Sequence, residues 1–332
     1  MKFRNYLLLR VLTCALTIWI GVTVVFFIPR MLPSDPVDNM IAQMVMLQGT
    51  MHPAEVEAMR HNLRVQFGLD GSLWSQYVHY LRNGLLRFDF GPSLTAFPTP
   101  ANEIIMRSMP YTVFLSLFTI ILAWIVGNLI GLRAGFRKDE RSSRIMESVA
   151  IFIYPIPFFI VALVLQIVFA FLLGWFPLQA HIAFHGGTWV WFTSVVRSAT
   201  LPAIALLLGG TGWWIISMKA LSSTVAQEDF VLYARYRGLP EKEISRNYVF
   251  RNSILTQVTA LALSLGTIFS GAIMVEIIFG FPGVGTLIQR AVLLSDFNMI
   301  LGTITISIVA ISISTLIVDL VYPFIDPRVR YK

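Results

Sequence analysis

The residue types that carry catalytic chemistry do not form a catalytic motif in this sequence. It has no GxxxxGK(S/T) phosphate loop, no GxSxG nucleophile turn, no HExxH zinc motif and no cysteine pair, because Cys14 is the only cysteine. His181 and His185 have the spacing of two ligands on one helix face, but no carboxylate or cysteine lies near them, so we interpret them as loop histidines. We therefore expect a protein that is not an enzyme and that holds no cofactor or metal.

The segment 227–254 (QEDFVLYARYRGLPEKEISRNYVFRNSI) carries helix start and stop signals in order. Asp229 is a suitable N-cap for a helix over 230–237. Gly238 suits the left-handed conformation that ends a helix, and Pro240 suits the first turn of the next one. We predict a short exposed helix, a sharp turn and a second helix. The predicted face of the first helix consists of Phe230, Tyr233, Ala234 and Arg237.

The composition indicates a membrane protein. Of 332 residues, 56% are hydrophobic and 13% are charged, and the mean hydropathy is +0.72. This leaves too few polar side chains to cover a soluble globule of that length. The formal net charge of +7 is compatible with a nucleic-acid binder, but the Lys and Arg residues lie in short clusters between long apolar runs. That distribution is typical of membrane topology signals.

Six apolar runs are long enough to cross a hydrocarbon layer of about 30 Å, which takes about 20 helical residues. Pro155 and Pro157 predict a kink or break near the start of the third run. Gly127 and Gly131 form a GxxxG pair in the second run, which favours close approach of another helix. We predict an all-α membrane protein with six transmembrane helices at 11–28, 112–132, 149–175, 201–218, 254–278 and 300–316.

The charges between these runs predict an orientation. On one side of the predicted membrane, the only Lys or Arg residues of the two short connections are Arg197 and Arg290. Both termini and the other short connections carry clusters of Lys and Arg. Both termini are therefore predicted to be cytoplasmic. The basic N terminus and the apolar run after it resemble a signal peptide, but no small-residue cleavage site follows, so we interpret this run as a retained first helix.

The connection between the first two helices is too long for a bare loop. Within it, residues 54–67 have helical spacing and residues 74–90 are aromatic-rich. We interpret the connection either as a helical cap or as a docking surface for an external partner. The predicted domains are the first transmembrane helix at 1–30, the outer region at 31–108, and a core of five transmembrane helices at 109–332 that includes the loop 219–253.

The segment 227–254 resembles the "EAA" loop of inner-membrane subunits of ABC importers. It is most similar to that of permeases of the dipeptide/oligopeptide (peptide/nickel/oligosaccharide) transport family. The family's loop reads roughly D-(Y/F)-V-x-(T/Y)-A-R-x-(K/R)-G-L, followed by a basic stretch and R-N. Tyr233 and Tyr236 stand where many members have Thr and Ala, so the substrate subgroup stays open. The matching residues are Asp229, Ala234, Arg235, Gly238, Leu239, Arg251 and Asn252.

The resemblance extends over nearly the whole chain. Near the front, residues 32–36, 67–70 and 91–93 fit the family's outer region. The family's E-x-x-F-x-x-P-G-x-G segment and a later aspartate are matched by Glu276, Phe279, Pro282, Gly283, Gly285 and Asp296. Its C-terminal D-x-x-Y-x-x-x-D-P-R motif is matched by Asp319, Tyr322, Asp326, Pro327 and Arg328.

The resemblance implies a type I ABC importer permease fold, with both termini cytoplasmic and a large outer region between helices one and two. It implies a multi-pass protein of the bacterial inner membrane that imports di- or oligopeptides. The implied partners are a homologous second permease, two cytoplasmic ABC ATPases and an extracytoplasmic solute-binding protein. ATP and Mg²⁺ would bind those ATPases and not this chain.

The resemblance also implies roles for single residues. The helix after Asp229 would be a coupling helix seated in an ATPase groove, with Tyr233, Ala234 and Arg235 at the contact. Gly238 and Leu239 would form its closing turn. The predicted outer turn in the gate region consists of Pro282, Gly283 and Gly285.

Several matched residues have a second interpretation. Glu276 and Asp296 either cap a helix or pair with Arg290, or else they bind substrate. Asp326, Pro327 and Arg328 form either an exposed tail turn, with an ion pair worth under about 1 kcal/mol, or a contact with the ATPase.

Three alternatives to peptide import stay open. The same architecture imports oligosaccharides in some members of this permease group. A secondary carrier would need ionisable groups at the bilayer midplane or inverted repeats with broken helices, and neither is clear in the sequence. A membrane receptor would use residues 31–108 as a ligand domain, but the loop 219–253 weighs against it.

Overall fold

The structure, a computed structural model, describes residues 3–31, 37–38, 41–42, 45, 52–137, 140–183, 187–266 and 272–325. Within these residues the all-α prediction is confirmed, and the extended pairing there is one bridge between Pro92 and Pro100. The α-helices are α1 (Phe3–Arg30), α2 (Pro53–Gln66), α3 (Leu73–His79), α4 (Ala101–Phe136), α5 (Arg141–Ile153), α6 (Phe158–Leu165), α7 (Thr188–Val225), α8 (Asp229–Tyr236), α9 (Glu241–Glu243), α10 (Arg251–Leu265), α11 (Ile273–Phe279), α12 (Val284–Leu293) and α13 (Phe297–Ile325). Three π-helices adjoin them, at Tyr80–Leu85, Gln166–Leu172 and Ile244–Phe250.

Four of the described helices are long and apolar enough to cross a membrane. They are α1, α4, α7 and α13, and each contains one predicted apolar run. Two pairs of shorter helices meet the same criterion when each pair is taken together, namely α5 with α6 and its π-helix, and α11 with α12. The described chain therefore has four candidate spans, or six if each pair crosses the membrane once.

The third predicted run is interrupted where its prolines lie. Helix α5 ends at Ile153 and α6 begins at Phe158, and the two directions differ by 94°. Pro157 has an extended ψ of 131° and precedes the first residue of α6, a position where its missing N–H removes no helical hydrogen bond. The break predicted from Pro155 and Pro157 is confirmed.

The fifth predicted run is not one helix. Helix α10 ends at Leu265, α11 begins at Ile273, and residues 267–271 lie outside the described part of the chain. The π-helix Ile244–Phe250 leads directly into α10, so this helical segment begins earlier than the apolar run predicts.

Small residues allow α4 and α7 to pack closely. A Cβ on Gly131 would lie 2.6 Å from the carbonyl oxygen of Ile215, and one on Gly127 would lie 3.1 Å from that of Thr211. Gly135, one turn further, also has no room for a Cβ. The predicted Gly127 and Gly131 contact is therefore confirmed and extends by one turn. Such backbone proximity maximises van der Waals contact, which holds helices together when lipid surrounds them.

The chain folds into two compact units. The first comprises residues 1–7, 113–281 and 314–332, and the second comprises residues 8–112 and 282–313. The core of the first includes Ala162, Leu201, Ala205, Val275 and Phe279. The core of the second includes Phe26, Tyr80, Phe90, Ile105 and Leu301. The division at 1–30, 31–108 and 109–332 stays a prediction.

The connection between α1 and α4 carries helical structure of its own. Helix α2 confirms the helix predicted over 54–67, and its end packs Leu63 and Phe67 against Val37 and Ile41. Helix α3 and its π-helix occupy part of the aromatic-rich stretch 74–90.

Candidate functional site

Helix α8 begins one residue earlier than the sequence indicates. Glu228 has the extended backbone of an N-cap, with φ −69° and ψ 147°, and its carbonyl accepts hydrogen bonds from the N–H groups of Val231 and Leu232. Asp229 is the first helical residue, so its prediction as the N-cap is wrong. Its carboxylate lies in the first turn of the helix, where a negative charge is favourable.

One face of α8 is buried within the chain. Val231 is fully buried and Ala234 is 2% exposed, and both pack against Ile244 and Val249. The prediction that Ala234 shares an exposed face with Tyr233 is therefore wrong, because Ala234 anchors the helix to the chain's own core. Burying a valine side chain contributes about 1.5–3 kcal/mol, so this apolar cluster is the main attachment of α8.

The opposite face of α8 presents aromatic rings outside the chain. Tyr233 is 66% exposed and Tyr236 is 86% exposed, and Phe230 and Leu232 are exposed as well. Exposed tyrosines combine apolar area with a hydrogen-bonding hydroxyl, a combination that is enriched at protein interfaces. This face is suited to a protein contact.

The turn after α8 has the geometry predicted for it. Gly238 has a φ of +76°, in the left-handed region. Its N–H donates to the carbonyl of Arg235 at 2.9 Å, and the Leu239 N–H donates to that of Ala234 at 3.3 Å. These two bonds form a Schellman motif, and Leu239 packs against the cluster that contains Ala234. The prediction of a left-handed stop at Gly238 is confirmed.

Arg235 links the turn to neighbouring segments. Its Nε donates to Oε1 of Glu241 at 3.1 Å, and its guanidinium lies 5.6 Å from the ring centroid of Phe136 at the end of α4. Because the pair is exposed, it contributes under about 1 kcal/mol. Arg235 therefore orients the turn and adds little to its stability.

The predicted outer-turn group is divided between the two units. In the first unit, Glu276 is fully buried on α11, and its backbone carbonyl accepts from the N–H of Phe281 at 2.9 Å. Gly280 ends α11 in the left-handed conformation with φ +58°, and a Cβ there would collide with the Gln179 side chain. Sequence reasoning missed Gly280, although a glycine directly after an apolar run is a helix-stop signal.

In the second unit, Gly283 is the N-cap of α12. Its carbonyl accepts from Thr286 Oγ1 at 2.8 Å, and the N–H of Val284 donates to Thr112 Oγ1 at 2.8 Å. Pro282 precedes this cap, and Gly285 is buried inside the helix. These residues thus form a helix start with satisfied backbone donors.

Asp296 is fully buried, and its two carboxylate oxygens accept hydrogen bonds from different parts of the second unit. Its Oδ1 accepts from the N–H of Met299 at 3.1 Å, which caps the first turn of α13. Its Oδ2 accepts from Ser93 Oγ at 2.6 Å and from both the N–H and Oγ1 of Thr95 at 3.1 Å. The capping interpretation is confirmed, and these bonds, rather than a pair with the exposed Arg290, satisfy the carboxylate.

The C-terminal motif is described only at its start. The backbone carbonyl of Asp319 accepts from the hydroxyl of Tyr6 at 2.9 Å, which ties α13 to the beginning of α1 within the first unit. Asp326, Pro327 and Arg328 lie outside the described residues, so their predicted roles stay predictions.

A match to a protein family and the similarity to single curated proteins agree with each other. Residues 127–331 match the family described as "Binding-protein-dependent transport system inner membrane component". The chain is 28% identical over 328 residues to an oligopeptide transport system permease protein of Haemophilus influenzae, with 98% of this chain and 99% of the relative covered. It is 30% identical over 329 residues to a glutathione transport system permease protein of Escherichia coli K12, with 99% of each covered. The match to the family description includes α8, its closing turn and Asp296.

Proposed function

Because the chain belongs to the family of inner membrane components of binding-protein-dependent transport systems, we propose that it is the permease subunit of an ATP-driven importer of di- or oligopeptides. It is an inner-membrane transport subunit and not itself an enzyme. In this proposal ATP and Mg²⁺ bind separate ATPase chains. A homologous permease and an external binding protein complete the transporter.

The observation that carries the proposal is the structure of α8. Its aromatic face, with Tyr233 and Tyr236, is exposed, while Val231 and Ala234 fix the opposite face to Ile244 and Val249. A partner that moves α8 therefore also moves the start of the long helical segment that leads into α10. Leu132 and Phe136 at the end of α4 and Val225 at the end of α7 pack against the same cluster, so the motion reaches two candidate spans. Such a device biases a two-state membrane domain through its contacts with a partner.

Peptides are the proposed substrate class because relatives that align with nearly the whole chain are named for oligopeptide and glutathione transport. The decisive experiment is uptake of labelled di- and tripeptides by cells that carry or lack this chain. We expect ATP-dependent uptake that disappears with the chain and returns with its gene. If cells without the chain take up peptides normally but lose oligosaccharide uptake, the substrate is an oligosaccharide and not a peptide. If uptake depends on an ion gradient and not on ATP, the chain is a secondary carrier.

Loss of the exposed tyrosines should weaken ATPase binding without unfolding the chain. We expect Tyr233→Ala and Tyr236→Ala each to cost about 1–2 kcal/mol of binding, because tyrosine is enriched among the few interface residues whose truncation costs more than about 1 kcal/mol. Co-purification of the ATPases and peptide-stimulated ATP hydrolysis would measure this. In the co-purification, Trp74→Ala is the control, because Trp74 is 72% exposed but lies on α3 and not on α8. Equal effects of the Tyr236 and Trp74 substitutions would contradict a specific contact at α8.

We propose six spans with both termini in the cytoplasm, supported by the candidate spans and by the basic clusters. Cysteine scanning tests this topology in a Cys14→Ala background. Ser75 on α3 and Lys242 on α9 are both exposed and make suitable probe positions. We expect Ser75→Cys to react with an impermeant thiol reagent in intact cells and Lys242→Cys to react only after the membrane is opened. The reverse pattern would invert the proposed orientation.

A further inference from the structure

A cavity of about 130 Å³ lies in the second unit, beside the end of α1. Its lining includes the buried residues Tyr80, Phe90 and Leu301 and the exposed residues His79 and Asp89. A water molecule occupies about 10–15 Å³ of such a cavity, so there is room for a small oxyanion or for several waters. Its lining also includes the half-buried guanidinium of Arg30.

Arg30 is held in a fixed orientation. Its Nε donates to Oε1 of Gln76 at 3.1 Å, and one terminal nitrogen donates to the carbonyl of Phe26 at 3.0 Å. The guanidinium stacks 3.7 Å from the centroid of the Phe26 ring, which in turn stacks on Tyr80. The amide nitrogen of Gln76 donates to the carbonyls of Leu69 and Gly71, so Gln76 is itself fixed.

This arrangement leaves donors of Arg30 unused. A guanidinium has five N–H donors, and the bonds to Gln76 and Phe26 use two of them. Among the described residues, no carboxylate forms an ion pair with Arg30. The guanidinium of an arginine stays cationic in proteins at neutral pH. A half-buried cation that has no carboxylate partner within the described part of the chain is costly unless an anion binds it.

We propose that this pocket binds the terminal carboxylate of the transported peptide through Arg30. The inference rests on the proposed function, because peptide import is what brings a carboxylate to this subunit. The free N–H groups of a guanidinium match the two oxygens of a carboxylate in a bidentate pair. The exposed Asp89 in the lining repels any anion, but it repels a doubly charged phosphate more strongly than a singly charged carboxylate. Asp89 is itself held by the Gly91 N–H, which donates to its Oδ1 at 3.1 Å.

The test compares uptake of one tripeptide with uptake of its C-terminal amide, in cells with the complete transporter. The wild type should prefer the free acid. In Arg30→Gln the preference should fall about ten-fold, mainly through slower uptake of the free acid, because one charge-assisted pair is lost. All variants are tested with the same binding protein, so its own preference for the free acid or the amide does not change the difference between variants. Arg87→Gln, at an exposed arginine of the same unit, should retain the wild-type preference.

Two further variants separate carboxylate binding from a structural role. Arg30→Lys keeps the charge but loses bidentate geometry, and Gln76→Leu removes the group that orients Arg30, so both should show intermediate preferences. An unchanged preference in Arg30→Gln would overturn the carboxylate site while leaving peptide import intact. Equal loss of both substrates at normal membrane levels would also overturn it, because Arg30 would then be structural. Wild-type cells that import neither peptide would instead refute the proposed function, and the site with it.

Discussion

Replacing Gly238 with valine should remove most of the ATP-driven uptake while the protein still reaches the membrane at near-normal levels. A β-branched residue at φ +76° costs about 1–2 kcal/mol, which shifts a conformational equilibrium about 5- to 30-fold. The chain relieves that strain by leaving the left-handed conformation. The Schellman bonds from Gly238 and Leu239 are then lost, and α8 no longer has a fixed direction relative to the helical segment that follows it.

The strain at this position comes from the backbone alone. Crowding adds nothing to it, because a Cβ at Gly238 would have no atom within 4 Å apart from those of its two chain neighbours. Gly238→Asn should therefore retain most activity, because asparagine tolerates the left-handed conformation and the space is open. Uptake and ATP hydrolysis in reconstituted vesicles would distinguish lost ATPase binding from hydrolysis without transport.

A second glycine provides the matched control. Gly174 has a φ of +63° and also no neighbour within 4 Å of a Cβ, but it follows the π-helix Gln166–Leu172, far along the chain from α8. Gly174→Val should carry the same backbone strain and leave coupling intact. Wild-type uptake in Gly238→Val, or equal loss in Gly174→Val, would show that the turn after α8 has no special role in coupling.

Replacing Asp296 with alanine should destabilise the second unit by about 3–5 kcal/mol. The change removes the cap of α13, worth about 1 kcal/mol, and leaves the buried Ser93 hydroxyl and the Thr95 donors without their acceptor. Each such hydrogen bond to a carboxylate contributes about 1.5–3 kcal/mol, although bonds that share one oxygen do not add fully. The thermal unfolding temperature of the purified chain in detergent, with its yield in the membrane, would measure the loss.

Two substitutions separate the roles of Asp296. Serine is a good N-cap residue, so Asp296→Ser should recover only the capping contribution and stay well below the wild type in stability. Asp70→Ala, at an exposed aspartate of the same unit, should change stability by less than about 0.5 kcal/mol. An unfolding temperature of Asp296→Ala equal to that of the wild type would mean that the bonds to Ser93 and Thr95 contribute nothing.

The sequence alone predicts those features of the backbone that depend on residues close together in the chain. The prolines at 155 and 157 break a helix because of their own ring and missing N–H, whichever helices surround them. Gly238 ends α8 because it is a glycine between two helical stretches, and α2 follows from its own apolar spacing. The four long helices follow in the same way from uninterrupted apolar runs.

The tertiary structure decided which side chains meet. Tyr233 and Ala234 are adjacent in a sequence pattern that assigns them one face, but packing against Ile244 and Val249 buries Ala234 and leaves Tyr233 exposed. Ser93 and Asp296 are 203 positions apart, so no local signal links them. In the sequence, Arg30 is an ordinary basic residue at the end of an apolar run. Phe26 lies one helical turn before it, but only the fold brings Gln76, 46 positions away, to its guanidinium. Backbone propensities act over a few residues, whereas burial and hydrogen bonding depend on partners that only the complete fold brings together.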